Sequence, residues 1–223
     1  MVFTHTNQPN YTELDAKITN GQRWYTTPTG LKYPSVTTVL GHKEKPWLED
    51  WRQSLGSTKA QKEMERCAAR GTAVHEAIEY YLNNKEIPTK KYDKDIIKLF
   101  NQVKFQLNKI NNIRAQEVPL YSDTLKVAGR VDCVGEFDGT LAIVDFKTSN
   151  NNKNEEMVYD YFLQCTAYAV MYYELFGEAI EDIVVIITVE KGLAPLVYKR
   201  KIDEFVAPLL ERINTFYKEN SNG

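Results

Sequence analysis

The dipeptide Asp138-Gly139, set between two runs of strand-forming residues, constrains the fold of this chain more than any other feature. A two-residue type I′ turn needs positive φ at both central positions, and Asp-Gly supplies that. The turn specifies a hairpin of residues 125–137 with 141–147, in which facing residues have numbers that sum to 277. A four-residue loop from Phe137 to Thr140 gives the same register. Asp132 then faces Asp145, and Arg130 faces Lys147. Side chains alternate with period two, so Ile143, Asp145 and Lys147 share one face, and Asp132 joins them there. Two facing carboxylates repel each other across a sheet, a conflict that a divalent cation between them removes. A lysine on that face can orient a water or stabilise charge on a phosphate. The competing reading is a solvated hairpin with ordinary surface acids. Leu141, Ile143 and Val144 weigh against it, because they give the Asp145 strand a buried character.

Around this hairpin the pattern predicts an ordered series of elements. Residues 23–33 read as two short strands about a Pro-Thr-Gly turn, and Ser35 caps a short segment that ends at Gly41. Helices follow at 46–55, with Pro46 in the first turn, and at 58–82 and 92–111. Strands are expected at 115–121, 125–137 and 141–147, a helix at 155–175 closed by Gly177, then strands at 182–190 and 194–200. A last helix should start near Asp203 and kink at Pro208. The order implies an α/β (α+β) fold, a mixed sheet flanked by helices. At 223 residues and 43% hydrophobic content the chain can build one core, and no Pro/Gly/Ser-rich linker divides it. The expectation is one domain over 1–223: an N-terminal hairpin and helical cap at 22–57, a core at 58–200 and a C-terminal helix at 201–223.

Charge and cysteine usage exclude several classes. The net charge of -2 rules out a global polycation, so any nucleic-acid contact must rest on local positive charge. The three cysteines, Cys67, Cys133 and Cys165, are widely spaced and odd in number. They suit a reducing cytosol rather than a disulfide framework, and without a CxxC pair they make no zinc knuckle. The polar start of the chain has no apolar stretch of the signal-peptide kind, and no apolar run reaches membrane-spanning length. A cytoplasmic protein with no membrane partner is expected.

Three helical segments carry further candidates. Gly71, His75, Ile78 and Leu82 lie on one face of their helix, so His75 points inward, either as a hydrogen-bonded structural residue or as a ligand. Gly71, one turn earlier, lets a backbone or ligand approach closely. The HExxH zinc-protease pattern fails here, since Glu79 stands at the second histidine position. On the same helix Lys59, Lys62, Arg66 and Arg70 form a basic stripe largely opposite His75. It reads as a solvated face or as a phosphate track. Gln164 and Tyr168 sit four apart on an apolar helix, where a buried amide must find partners.

Gly71 to His75, Gly129 to Asp132, Asp145 to Lys147 and Gln164 to Tyr168 resemble, in that order, the GxxxH, GxxD, DxK and QxxxY motifs of the RecB-like PD-(D/E)XK nucleases. Tyr33-Pro34-Ser35-Val36-Thr37 and Arg70-Gly71-Thr72 look like the mitochondrial genome maintenance exonuclease group and its phage relatives. The resemblance implies a restriction-endonuclease-like core and phosphodiester hydrolysis with one or two Mg²⁺ or Mn²⁺ ions. It implies a metal held by His75, Asp132, Asp145 and the Phe146 carbonyl, with Lys147 positioning the attacking water. Glu79 and Glu117 would support that site, and no iron–sulfur cluster is expected, since no cysteine follows Cys165. DNA is the expected partner, gripped by Lys59, Lys62, Arg66, Arg70 and Arg130 and by Gln164 and Tyr168. Replication or recombination proteins are further partners, in a bacterial or phage-infected cell. Three activities compete: an exonuclease on single strands, an endonuclease of the same fold, and a catalytically silent DNA-binding module. Trp24, Tyr25, Tyr33, Trp47 and Trp51 favour the first if a helical cap carries them over His75 as stacking platforms, though core packing accounts for any one of them.

Overall fold

The computed structural model describes residues 2–6, 10–43 and 46–220, with 46–48 described as helix without their side chains. Five strands make the central sheet: β4 (Ile110–Ser122), β5 (Val127–Phe137), β6 (Thr140–Ser149), β7 (Asp182–Val189) and β8 (Leu196–Lys201), adjacent in that order. A smaller sheet joins β1 (Asp15–Thr19), β2 (Gln22–Thr26) and β3 (Lys32–Pro34). The helices are α1 (Val36–Gly41), α2 (Pro46–Leu55), α3 (Ser57–Leu82), α4 (Lys94–Leu107), α5 (Glu155–Phe176) and α6 (Val206–Asn220). Among the described residues no helix is long and apolar enough to cross a membrane.

Local chemistry sets the boundaries. Asp138 and Gly139 both have positive φ, 51° and 84°, as the hairpin turn requires. The hairpin pairs run from Phe137–Thr140 to Cys133–Val144, all in the register that sums to 277. Ser35 accepts from the Thr38 amide at the start of α1, and Asn154 accepts from the Met157 amide at the start of α5. Gly177 closes α5 in the left-handed region at φ 74°. Asp93 caps α4, which ends at Leu107 rather than near 111, because Ile110 already enters the sheet. Asp203 lies in a short 3-10 turn instead of capping the last helix. Pro208 sits in the first turn of α6, where its missing N–H costs no helical bond, so it produces no kink. Strand β1 has no counterpart among the expected elements. All five of its residues are exposed, so the burial alternation that betrays a strand is missing.

The β6–β7 pair is parallel and the other neighbours are antiparallel, with α5 connecting the parallel pair. Each face of the sheet buries its own core. On one side α5, α6 and α1 pack through Phe162, Leu163, Phe216 and Val39 over Ile143 and Val185. On the other, α3 and α4 pack through Ile78, Leu82, Leu99 and Phe100 over Val144 and Ile186. The small sheet docks by Tyr25 and Tyr33 against Ala128 of β5, and the Tyr33 hydroxyl donates to Asp123 at 2.8 Å. Those two tyrosines are core residues. Trp24 and Trp51 are half-buried, and the Trp47 side chain lies outside the described residues.

Candidate active site

The simple alternation of the hairpin breaks where its acids lie. The β5–β6 ladder stops at Cys133–Val144, one residue short of Asp132 and Asp145. In place of the next rung, the Phe146 N–H donates to Asp132 Oδ2 at 2.8 Å. Val131 and Cys133, two apart, contribute to opposite cores, so β5 changes face at Asp132. Glu117 on β4 takes a left-handed φ of 53° between the Gln116–Cys133 and Val118–Val131 pairs. These departures bring Glu117 and Asp132 together from adjacent strands, and His75 arrives from α3. Ligating atoms of His75, Glu117 and Asp132 all lie within 4.8 Å of one another. The His75 Nδ1 to Asp132 Oδ2 distance is 3.7 Å.

Asp145 lies beneath this triad, 1% exposed, with Lys147 as its ion-pair partner. Neither Asp145 oxygen receives a well-oriented hydrogen bond among the described residues. Burial pushes the Asp145 carboxyl up; the Lys147 ammonium opposes that and the Asp132 charge adds to it. Burial also works against the Lys147 ammonium, but the Asp145 and Asp132 carboxylates more than offset it and hold its pKa above the usual lysine value. Lys147 also faces the Tyr161 ring, its Nζ 5.1 Å from the centroid. Glu117 is pushed to about 8, first by burial and then by the charges of Asp132 and Glu79. Three carboxylates crowd one imidazole, and the most buried has oxygens without oriented donors. That donor set suits a hard divalent cation, which removes the repulsion and fills the open acceptor positions.

The triad opens into a cavity of about 750 Å³. Gln164 and Tyr168 form part of its lining and bond to each other, Gln164 Nε2 donating to the Tyr168 hydroxyl at 3.1 Å. A Cβ on Gly129 would come within 2.7 Å of the Tyr168 ring, which accounts for glycine three residues before Asp132. Glu79 lines the cavity too, and its carbonyl accepts from Gln116. The facing wall comes from Arg23 and Tyr25 of β2 and from Ser35 and Thr37 at the start of α1. The expected helical cap is therefore not the roof. Helix α2 packs on the first turns of α3, near Ala60 and Met64, away from His75.

The basic stripe divides into two solvated lysines and two engaged arginines. Lys59 and Lys62 are exposed and outside the cavity. Arg66 is held by Glu63 and Glu190, while buried Arg70 donates to Glu190 at 2.7 Å and to Asn150 at 2.6 Å. These arginines clamp α3 to the ends of β6 and β7. Asn150, in a stretch that reads as a plain polar loop, is part of the clamp. Arg130 reaches the cavity but does not pair across the hairpin with Lys147. It stands opposite Pro119 of β4, donates to the Glu117 carbonyl and pairs with Glu13 at 2.6 Å. Arg23, Tyr161, Glu76 and Lys91 are site residues that the sequence motifs do not single out. Tyr161, one turn before Gln164 on α5, had a spacing signal, and Glu76 adjoins His75 on α3; Arg23 and Lys91 lie on elements that only the tertiary fold brings in.

Residues 94–204 match the PD-(D/E)XK nuclease superfamily, a span that holds Glu117, Asp132, Asp145 and Lys147 within the mixed sheet described above. The chain belongs to that superfamily. Mitochondrial genome maintenance exonuclease 1 of Homo sapiens is 32% identical over 146 residues, covering 60% of this chain and 42% of that protein. The Mus musculus protein of the same name is 29% identical over 144 residues, covering 60% and 43%. The chain thus spans less than half the length of the curated relatives it matches. His75, on α3, lies outside the matched span of the superfamily.

Proposed function

We propose that this chain is a metal-dependent DNA exonuclease that hydrolyses single strands from a free end, in replication, recombination or repair. The observation that carries the proposal is the meeting of His75, Asp132 and Glu117 above the Asp145–Lys147 pair, at the point where β5 and β6 part. His75, Asp132, Asp145 and the Phe146 carbonyl would hold the ion, Mg²⁺ or Mn²⁺, with Glu117 beside them and Glu79 behind. When bound, the ion supplies Lewis-acid activation of water and of the scissile phosphate. Lys147 holds positive charge where the attacked phosphate gathers negative charge, and its ammonium can orient the water. Gln164 and Tyr168 offer polar atoms to the substrate.

Two findings support a single strand with an end. The names of the two relatives carry the word exonuclease, and the cavity is small. Its volume of about 750 Å³ equals a cube of about 9 Å edge, less than the roughly 12 Å width of the major groove of a B-form duplex alone. The deciding experiment incubates linear and covalently closed circular single strands of one sequence with the protein and Mg²⁺ or Mn²⁺. Short products from the linear form alone are expected. Equal initial rates on both forms would overturn the exonuclease reading in favour of an endonuclease, and no metal-dependent cleavage of either would leave a DNA-binding module.

A further inference from the structure

Resting on that reading, we propose that the DNA strand crosses the cleft between Gly71 of α3 and Arg23 of β2, with Gly71 as a clearance position and Arg23 as the grip on a phosphate. Gly71 stands inside a 26-residue helix, where glycine lowers helix stability relative to alanine. Its φ is not in the left-handed region, so the backbone does not require it. Packing does not require it either, because an added Cβ would meet only the Thr148 hydroxyl at 3.7 Å, an ordinary contact. Gly129 is the contrast, since there the Tyr168 ring already occupies the space. What Gly71 does face is the cavity, one turn before His75. A glycine that neither the backbone nor the packing of the chain requires, on the wall of a cleft, fits close approach by a bound molecule.

The opposite wall supplies the charge. Four cations line the cavity, and three are engaged: Lys147 with Asp145, Lys91 with Glu76 and Arg130 with Glu13. Among the described residues the Arg23 guanidinium has no ion pair. Its backbone is nevertheless fixed, the N–H donating to Thr38 at 3.0 Å and the carbonyl accepting from the Ser35 amide at 2.7 Å. A solvated arginine on a fixed strand, lining the same cavity as the acidic centre, suits the phosphate of an incoming strand.

The test measures binding of a labelled single-stranded DNA in Ca²⁺, with the probe checked to be uncut, alongside thermal melting. Gly71→Ala should melt a few degrees higher than the wild type and bind at least about fivefold more weakly. Arg23→Gln should keep the wild-type Tm and bind about tenfold more weakly. Its salt dependence should fall by roughly 0.7 in log–log slope, as one lost phosphate contact requires, and Arg23→Lys should recover part of the affinity. Wild-type affinity in both variants, or a lower Tm for Gly71→Ala, would overturn this strand path while leaving the nuclease reading intact. A wild-type protein that neither binds nor cuts the strand would overturn both.

Discussion

Helix α3 passes two charged regions little more than a turn apart, and they are built on opposite plans. At its middle, every charge has an answer. Arg66 bridges Glu63 and Glu190, Arg70 adds Asn150, and the Arg66 guanidinium beside Glu63 holds that carboxyl down at about 2. At His75 the charges are left in conflict. Glu117, Asp132 and Asp145 crowd together, and Glu117 is driven up to about 8. A folded chain keeps such a conflict only where something else resolves it, and groups with strongly perturbed pKa values collect at functional sites for that reason. The clamp holds α3 on the sheet, whereas the conflicted centre has the donor set that suits a hard divalent cation.

The largest effect expected from this contrast is on turnover. Asp132→Asn and Asp145→Asn should each lower the cleavage rate at least a thousandfold, about 4 kcal/mol in the barrier. Asp132→Asn should not lower the Tm of the metal-free protein, since it removes one charge from a repulsive set, whereas Asp145→Asn also takes the partner from Lys147 and should lower it. Near-normal turnover in either variant would remove the assignment of these acids to the metal. A collapse in Tm of Asp132→Asn would mean that the centre is structural, like the clamp.

A smaller effect separates the two regions by pH. Glu117 holds its proton more tightly in the folded chain, at about 8, than at its ordinary value of 4.5. Its contribution to stability is therefore fully present below about 4.5 and is lost as the pH rises through 8. The metal-free protein should lose several degrees of Tm between pH 5.5 and 8, and Glu117→Gln should flatten that slope. Because a divalent ion competes with this proton, the rise in Tm on adding Mg²⁺ or Mn²⁺ should grow over the same interval. A metal-free Tm that is level across the range in the wild type would show that Glu117 does not carry the conflict.

The two regions also differ in how far the sequence announces them. The hairpin turn and its register were legible because Asp-Gly chemistry is local, and every pair from Phe137–Thr140 to Cys133–Val144 keeps that register. His75, Asp132, Asp145 and Lys147 came from spacing on that hairpin and on one helix face. The left-handed φ of Glu117 was not legible, and neither was the parting of β5 from β6, because both arise from packing between strands. As a result Glu117, which reads as a supporting residue, stands in the triad, and Asp145 lies below it. The clamp was legible only as a stripe of positive charge. Glu190 and Asn150 lie 120 and 80 residues from Arg70, and no periodicity connects them.

That stripe gives the last and smallest expected effects, and it separates its members from one another. Arg70 is 7% exposed and bonded to two partners, so Arg70→Met removes one donor from Glu190, which keeps Arg66, and the arginine donor from Asn150. Losing these charge-assisted hydrogen bonds costs about 2 kcal/mol, which a denaturant midpoint would report, with the slope against denaturant unchanged. Lys62, two turns earlier and exposed, touches neither the clamp nor the cavity, so Lys62→Ala should change stability by less than about 0.5 kcal/mol. It should also leave the affinity for single-stranded DNA and its salt slope at wild-type values, in contrast to Arg23→Gln. A slope reduced by roughly 0.7 in Lys62→Ala would instead extend the phosphate track along the outside of α3. The strand would then wrap the helix rather than cross it at Gly71.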